Sequence, residues 1–181
     1  VVSIGSQEIL SKTRKYSEQG FGNCVGRPLE GIEVRLIQVS DDPIKTWSDE
    51  LLVPHGEIGE IVVKGNLVTR EYFRRPEMTM LAKIRDRDGI WHRMGDLGWM
   101  DQNGRLWFCG RKNHRVVSEK GVLYSVPCEA IYNNHPRVFR SALVGVGTPP
   151  NQTPVIVVEL EEDDPGKDRE TLRQELLRRG R

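Results

Sequence analysis

Two residues of this chain stand out for the chemistry that their types and spacing allow. Asp96 and Arg111 each follow a glycine, as Gly95-Asp96 and Gly110-Arg111, and lie 15 positions apart on either side of Asn103-Gly104. Asn-Gly between short apolar runs is a strong hairpin signal, and here the runs are residues 97–100 and 106–109. A two-residue loop pairs Asp96 with Arg111. A four-residue loop pairs Asp96 with Cys109 and leaves Arg111 diagonal to it. Side chains alternate with a period of two, so both registers point Asp96 and Arg111 to one face. A carboxylate there can accept from two vicinal hydroxyls, as one does for a ribose. A guanidinium can donate to a ribose oxygen or a phosphate. The glycines would let a ligand or another backbone come close. The open end of the hairpin is therefore a candidate nucleotide site. The same pattern also fits a plain Asp–Arg pair closing a hairpin.

Other polar features carry less. Glu57 and Glu60 flank Gly59 and read as two exposed turn carboxylates rather than an acid pair. Trp91, Trp99 and Trp107 could stack on a base, but aromatic residues on strands are usually core. His92, His114 and His135 lack ligand spacing, and no metal site is expected. The cysteines at 24, 109 and 128 form no C-x-x-C pair, which argues against a disulfide scaffold or zinc knuckle. No Walker-type loop, nucleophile elbow or H-E-x-x-H occurs.

The elements that must position Asp96 and Arg111 follow from apolar patterning. Residues 31–37 alternate as a half-buried strand, and residues 61–65 read as a buried one. Pro76 suits the first turn of a short helix running to Lys83, and residues 86–89 form a turn. After the Asn103-Gly104 hairpin, a second one is expected from residues 114–118 and 122–125. Pro127 opens a short helix ending near His135. Residues 140–146 and 154–160 are strand-like, and Asp163-Asp164-Pro165-Gly166 is a turn. Residues 168–179 form a helix with Leu172, Leu176 and Leu177 on one face. The first thirty residues show no clear period. The expected fold class is α+β: a turn-rich, β-barrel-like part followed by part of a small α/β unit. The pattern changes near Lys112-Asn113, which divides the chain into 1–112 and 113–181.

Composition bounds the function. The chain has 181 residues, with 27 Lys and Arg against 26 Asp and Glu, a net charge of +1. That excludes a polyanion binder acting through bulk charge, so no nucleic-acid partner is expected. No apolar run approaches the roughly 18 residues of a membrane helix, and a cytoplasmic protein is expected. The chain opens on Val1-Val2 without Met.

Three segments carry a resemblance, in order and at fitting spacing: residues 56–61 (Gly-Glu-Ile-Gly-Glu-Ile), residues 91–96 (Trp-His-Arg-Met-Gly-Asp), and residues 101–112 (Asp-Gln-Asn-Gly-Arg-Leu-Trp-Phe-Cys-Gly-Arg-Lys). Together they resemble the adenylate-forming superfamily of acyl-CoA synthetases, peptide-synthetase adenylation domains and luciferases, over about Gly26 to Val158. The resemblance implies that Asp96 binds the ribose hydroxyls of ATP and of the acyl-adenylate. It implies that Arg111 contacts the same ribose and the phosphate side, and that Phe108 lies against the nucleotide, although simple alternation puts Phe108 on the opposite hairpin face. Lys112 and Asn113 would be the hinge between the end of a large adenylating domain (1–112) and a small mobile C-terminal domain (113–181). ATP or AMP with Mg2+ would be the cofactor.

The segments 69–73, 91–96, 123–129 and 140–147 are most similar to the olefin-pathway β-lactone synthetases, often named fatty-acid–CoA ligases. That subgroup implies ATP-dependent activation of a long-chain β-hydroxy fatty acid, whose own hydroxyl then displaces AMP without CoA. The family's hinge Asp or Lys is Asn113 here, Val117 stands near its usual lysine, and Val126-Pro127-Cys128-Glu129 replaces its Pro-x-Glu-x-Glu. These departures argue against CoA. The family's phosphate loop is expected before residue 1, and its adenylation lysine beyond Arg181. The chain by itself, apart from the rest of its large domain, is expected to be inactive, with no catalytic residue within it. The alternatives are an ordinary fatty acyl-CoA synthetase and a non-catalytic binding module using the same fold.

Overall fold

A computed structural model of the chain describes residues 1–162 and 168–180. The turn expected at Asp163-Asp164-Pro165-Gly166 lies outside the described residues. Seven strands form one sheet: β1 (Val2–Ser3), β2 (Asn23–Pro28), β3 (Ile32–Ile37), β4 (Gly59–Gly65), β5 (Lys83–Asp86), β6 (Gly89–Met100) and β7 (Leu106–Arg111). Their order is β1-β2-β7-β6-β4-β3, with β5 on the free end of β6, and every pairing is antiparallel. The sheet curls into a half-barrel, and helices are few. The expected fold class, α+β with a barrel-like first part, is what the chain adopts.

Each face of this sheet has its own core. Ile32, Val34, Leu36, Ile61, Val63 and Leu106 are buried together on one face, with Met94, Met100 and Phe108 packed against them. Ile37, Val62, Ile84 and Trp91 are buried on the other, covered by Trp47 and Leu51. The alternation of β3 and β4 produces this split, because successive side chains point to opposite faces. The tryptophans do not form one cluster. Trp91 stacks on Trp47 at 4.6 Å, while Trp99 stacks on Trp107 at 5.4 Å.

Several segments differ from the sequence reading: the helix expected to open at Pro127 begins at Ser125, after a strand that ends at Leu123, and two others change more. Residues 6–18, which show no amphipathic period, form one helical run: α1 (Ser6–Glu8), a π turn (Ile9–Thr13) and α2 (Arg14–Glu18). Tertiary contact holds it, since Thr13 is buried and Tyr16 sets its ring edge-on to Trp107 at 6.2 Å. Helix α3 (Pro76–Ala82) stops one residue short of Lys83, which instead opens β5 and pairs with His92. Lys83 turns its ammonium to the Thr69 carbonyl and hydroxyl, which fixes the loop before α3.

Past the sheet come a small hairpin, β8 (Val116–Ser118) with β9 (Gly121–Leu123), and helix α4 (Ser125–Asn133). A ribbon of β10 (Val138–Val146) and β11 (Thr153–Leu160) follows, then helix α5 (Arg169–Arg179). Asp168 caps α5 by accepting from the Thr171 N–H at 3.1 Å. Of its leucines only Leu172 is buried, and Leu177 stays exposed. Helix α4 packs on β7 and α2. Among the described residues, no helix is long and apolar enough to cross a membrane.

Candidate functional site

The hairpin of β6 and β7 is set by Asp101. Its carboxylate accepts from the backbone N–H groups of Asn103 at 2.9 Å and Arg105 at 3.0 Å. It also accepts from the Arg105 guanidinium at 2.7 Å and the Trp107 indole at 3.0 Å. An aspartate that satisfies its own turn in this way fixes where the strands start. The start lies between the two registers expected from sequence: Met100 faces Leu106, Trp99 faces Trp107 and Gly98 faces Phe108. Carried on unbroken, that pairing would set Asp96 opposite Gly110 and turn Arg111 to the other face.

A bulge prevents this. The register shifts between Leu97 and Gly98, leaving Cys109 as an extra residue in β7, so that Leu97 faces Gly110 and Asp96 faces Arg111. One extra residue changes the parity of every side chain beyond it. The bulge also acts on Phe108. Gly98 and Asp96 are two apart on β6, so Phe108, opposite Gly98, shares the face of Asp96 and Arg111. Simple alternation along β7 misses this. The Phe108 ring is half-buried against the core on that face. The three residues singled out from sequence are thus brought to one face.

Asp96 and Arg111 are joined by an ion pair of 3.0 Å, with side-chain exposures of 18% for the aspartate and 60% for the arginine. Arg111 also donates to the Met94 carbonyl at 3.3 Å. Most of its donors therefore face open space beside a half-buried carboxylate, an arrangement suited to a ligand with hydroxyl and phosphate groups. The flanking glycines differ in role. Gly95 has φ 68°, and a Cβ built on it would meet nothing within 4 Å, so the space over it is open. Gly110 has φ 121°, and a Cβ there would come within 2.3 Å of the Ser125 hydroxyl. The close approach it permits is that of α4.

Burial pushes the Asp96 carboxyl above its ordinary pKa, opposed in part by the Arg111 charge. With the folded pKa above the unfolded one, the native chain binds more protons across that interval, so stability falls as pH rises through it. The ionised carboxylate is then a cost at neutral pH. Asp96→Asn is expected to raise the melting temperature at pH 7 by about 1–3 °C and to leave it unchanged near pH 3, read by scanning calorimetry.

The sequence reading misses a second cluster beneath the pair. Glu60 is not an exposed turn carboxylate but 1% exposed, and Arg93 is buried with it at 2%. Arg93 donates to both Glu60 oxygens, at 3.2 and 2.7 Å, and to the carbonyls of Asp42 at 2.7 Å, Leu81 at 3.0 Å and Ser40. The Lys112 ammonium joins them, 2.7 Å from the Ser40 carbonyl and 3.4 Å from Glu60. Arg115 closes the cluster by pairing with Asp41, which holds that carboxyl below its ordinary pKa. The signal in the sequence is Arg93 itself. It is two residues from the core-facing Trp91, so alternation puts a guanidinium inside, where it requires a carboxylate. Glu57 is exposed. Lys112 lies in a 3-10 turn with Asn113, whose side chain is exposed. Among the described residues, no three His, Cys, Asp or Glu side chains lie together as a metal site.

No family model matches the chain. It is 50% identical over 157 residues to an olefin beta-lactone synthetase of Xanthomonas campestris pv. campestris, a match covering 84% of this chain and 28% of that protein. It is 33% identical over 141 residues to a 2-succinylbenzoate--CoA ligase of Geobacillus kaustophilus, covering 78% of this chain and 26% of that one. Among solved structures, ATP-bound MatB from Rhodopseudomonas palustris matches with a TM-score of 0.64 and 28% identity, over 79% of this chain and 26% of that chain. The chain spans less than a third of the length of the curated relatives it matches. With this sequence likeness, the curled sheet and the ordered motifs in hand, the chain belongs to the adenylate-forming superfamily.

Proposed function

We propose that the longer protein containing this chain activates a long-chain β-hydroxy fatty acid with ATP and closes it to a β-lactone. A carboxylate oxygen of the acid attacks the α-phosphorus, and pyrophosphate leaves. The β-hydroxyl oxygen then attacks the acyl carbon of the adenylate, giving up its proton, and AMP leaves. Asp96 accepts from the two ribose hydroxyls, Arg111 donates toward the ribose and phosphate side, and Phe108 lies along the nucleotide. The observation that carries this reading is the half-buried Asp96 beside a largely open Arg111, in a chain half identical to a beta-lactone synthetase.

The residues present fit a nucleoside. A half-buried carboxylate, a guanidinium with free donors and the open space over Gly95 lie together. Mg2+ would arrive with the triphosphate and neutralise its charge. This chain's own residues hold the nucleoside part. Residues 1–112 belong to the end of the large domain and residues 113–181 to the small one, with the turn at Asn113 as the hinge. The 181 residues alone hold no phosphate-cradling loop, so they are expected to be inactive in isolation.

The test uses the longer protein with a long-chain 3-hydroxy acid and ATP, without CoA. The expected products are AMP, pyrophosphate and a β-lactone, seen by mass spectrometry. Absence of acid-dependent pyrophosphate exchange would count decisively against acid activation. The likeness to a CoA ligase supports a second reading, an ordinary acyl-CoA synthetase. A thioester formed only when CoA is added would select it.

A further inference from the structure

We propose that Glu60 sets the aim of the Asp96–Arg111 pair, with Lys112 as the positioning residue that fixes the Arg111 end. This deepens the reading of that pair as the nucleotide contact and rests on it for its bearing on function.

The sheet is irregular on both sides of the pair. Between Glu60, which faces Leu97, and Val62, which faces Arg93, β6 carries two more residues than β4. On the other side, β7 carries the extra Cys109. Asp96 is therefore the last residue of the bulged stretch 94–96 of its own strand and lies beside a bulge in its partner. A ladder interrupted in this way does not by itself fix where two side chains end.

Glu60 supplies what the ladder lacks. It receives Arg93, three residues before Asp96, and Lys112, one residue after Arg111. One buried carboxylate thus takes a cation from each of the two segments that the bulges loosen. The cations have little freedom, because Arg93 spends its remaining donors on three carbonyls and Lys112 shares the Ser40 carbonyl with it. Lys112 and Arg111 are consecutive and turn opposite ways, Lys112 inward at 14% exposure and Arg111 outward at 60%. The inward tether decides where the outward guanidinium starts.

Variants of Glu60 or Arg93 strand a buried charge and can unfold the chain, so Lys112 is the residue to change. Lys112→Met keeps the apolar stem and leaves the Glu60–Arg93 pair whole. The Asp96 carboxyl is titrated by carbon-13 NMR in the 181-residue chain, with Arg111 present and again as Arg111→Met, because salt screens partly buried charges poorly and a direct effect of the Lys112 charge persists without Arg111. The expected result is an upward move of the Asp96 midpoint in Lys112→Met, as Arg111 drifts away, and its return in Lys112→Arg. In the longer protein, the KM for ATP should rise about 10-fold (about 1.4 kcal/mol) with kcat within twofold. An unchanged Asp96 midpoint with a lowered melting temperature overturns the proposal, because Lys112 is then only part of the scaffold. So does a midpoint that moves equally in the Arg111→Met background. If the midpoint moves only with Arg111 present but the KM for ATP does not, the positioning stands and the nucleotide reading of the pair falls.

Discussion

Glu60→Ala is expected to be the most damaging single substitution in the sheet, costing about 3–5 kcal/mol. The cost arises from what is left behind. Arg93 is 2% exposed, and without Glu60 its charge stays in the interior with only carbonyl dipoles for company. Lys112, also held by Glu60, loses a partner as well. Urea unfolding of the 181-residue chain measures the loss directly, and a chain that does not fold at 25 °C meets the expectation. Glu57→Ala is the control. It removes a carboxylate three residues away that is exposed, and it should shift stability by no more than about 0.5 kcal/mol. Equal effects at the two positions would refute a buried pair. A double replacement by apolar residues, Glu60→Leu with Arg93→Met, should recover part of the loss, because no charge is then stranded.

The second large effect falls on activity. Asp96→Ala in the longer protein should lower kcat/KM for ATP by roughly 10²–10⁴-fold, the scale of two hydrogen bonds to a charged acceptor at about 1.5–3 kcal/mol each. Asp96→Asn keeps one acceptor oxygen and should lie between. Fold and function part company here, since Asp96→Asn raises stability while lowering activity, as groups held for a ligand often do. Pyrophosphate exchange with each variant gives the number. Unchanged exchange in Asp96→Ala would remove the carboxylate from the reaction and favour a binding module built on the same sheet.

Much of this was legible in the sequence, though not always for the right reason. The strands β3 and β4, both hairpins, the ribbon of β10 with β11 and the capped α5 follow from alternation, turn residues and a capping aspartate. Asp96 and Arg111 were expected on one face from two registers. The chain uses neither register at the hairpin tip, and only the Cys109 bulge restores the same-face result. The local sign of that bulge is Gly110, since a lone glycine in a strand marks either a bulge or a close approach, and the sequence reading takes it only as the second. Unbroken alternation along β7 likewise puts Phe108 on the opposite face. The Glu60–Arg93 pair spans 33 positions and two strands, so its partners cannot be matched without the β4–β6 register. The helical run at residues 6–18 lacks a period because it is held by Trp107 and its neighbours rather than by a stripe of its own.

The bulge also bears on how the gene can change length. Hairpin tips are usually where insertions and deletions are absorbed, and residues 102–104 are such a tip, held from Asp101 and by Arg27, which donates to the Asn103 carbonyl at 3.1 Å. Five residues past Gly104, the bulge is a second place where length can change. Loss of the single codon for Cys109 would leave a shorter, regular strand in which Leu97 still faces Gly110 and Asp96 still faces Arg111. A lineage can therefore lengthen this hairpin at its tip, or lose the bulge residue outright, and still keep the pair face to face.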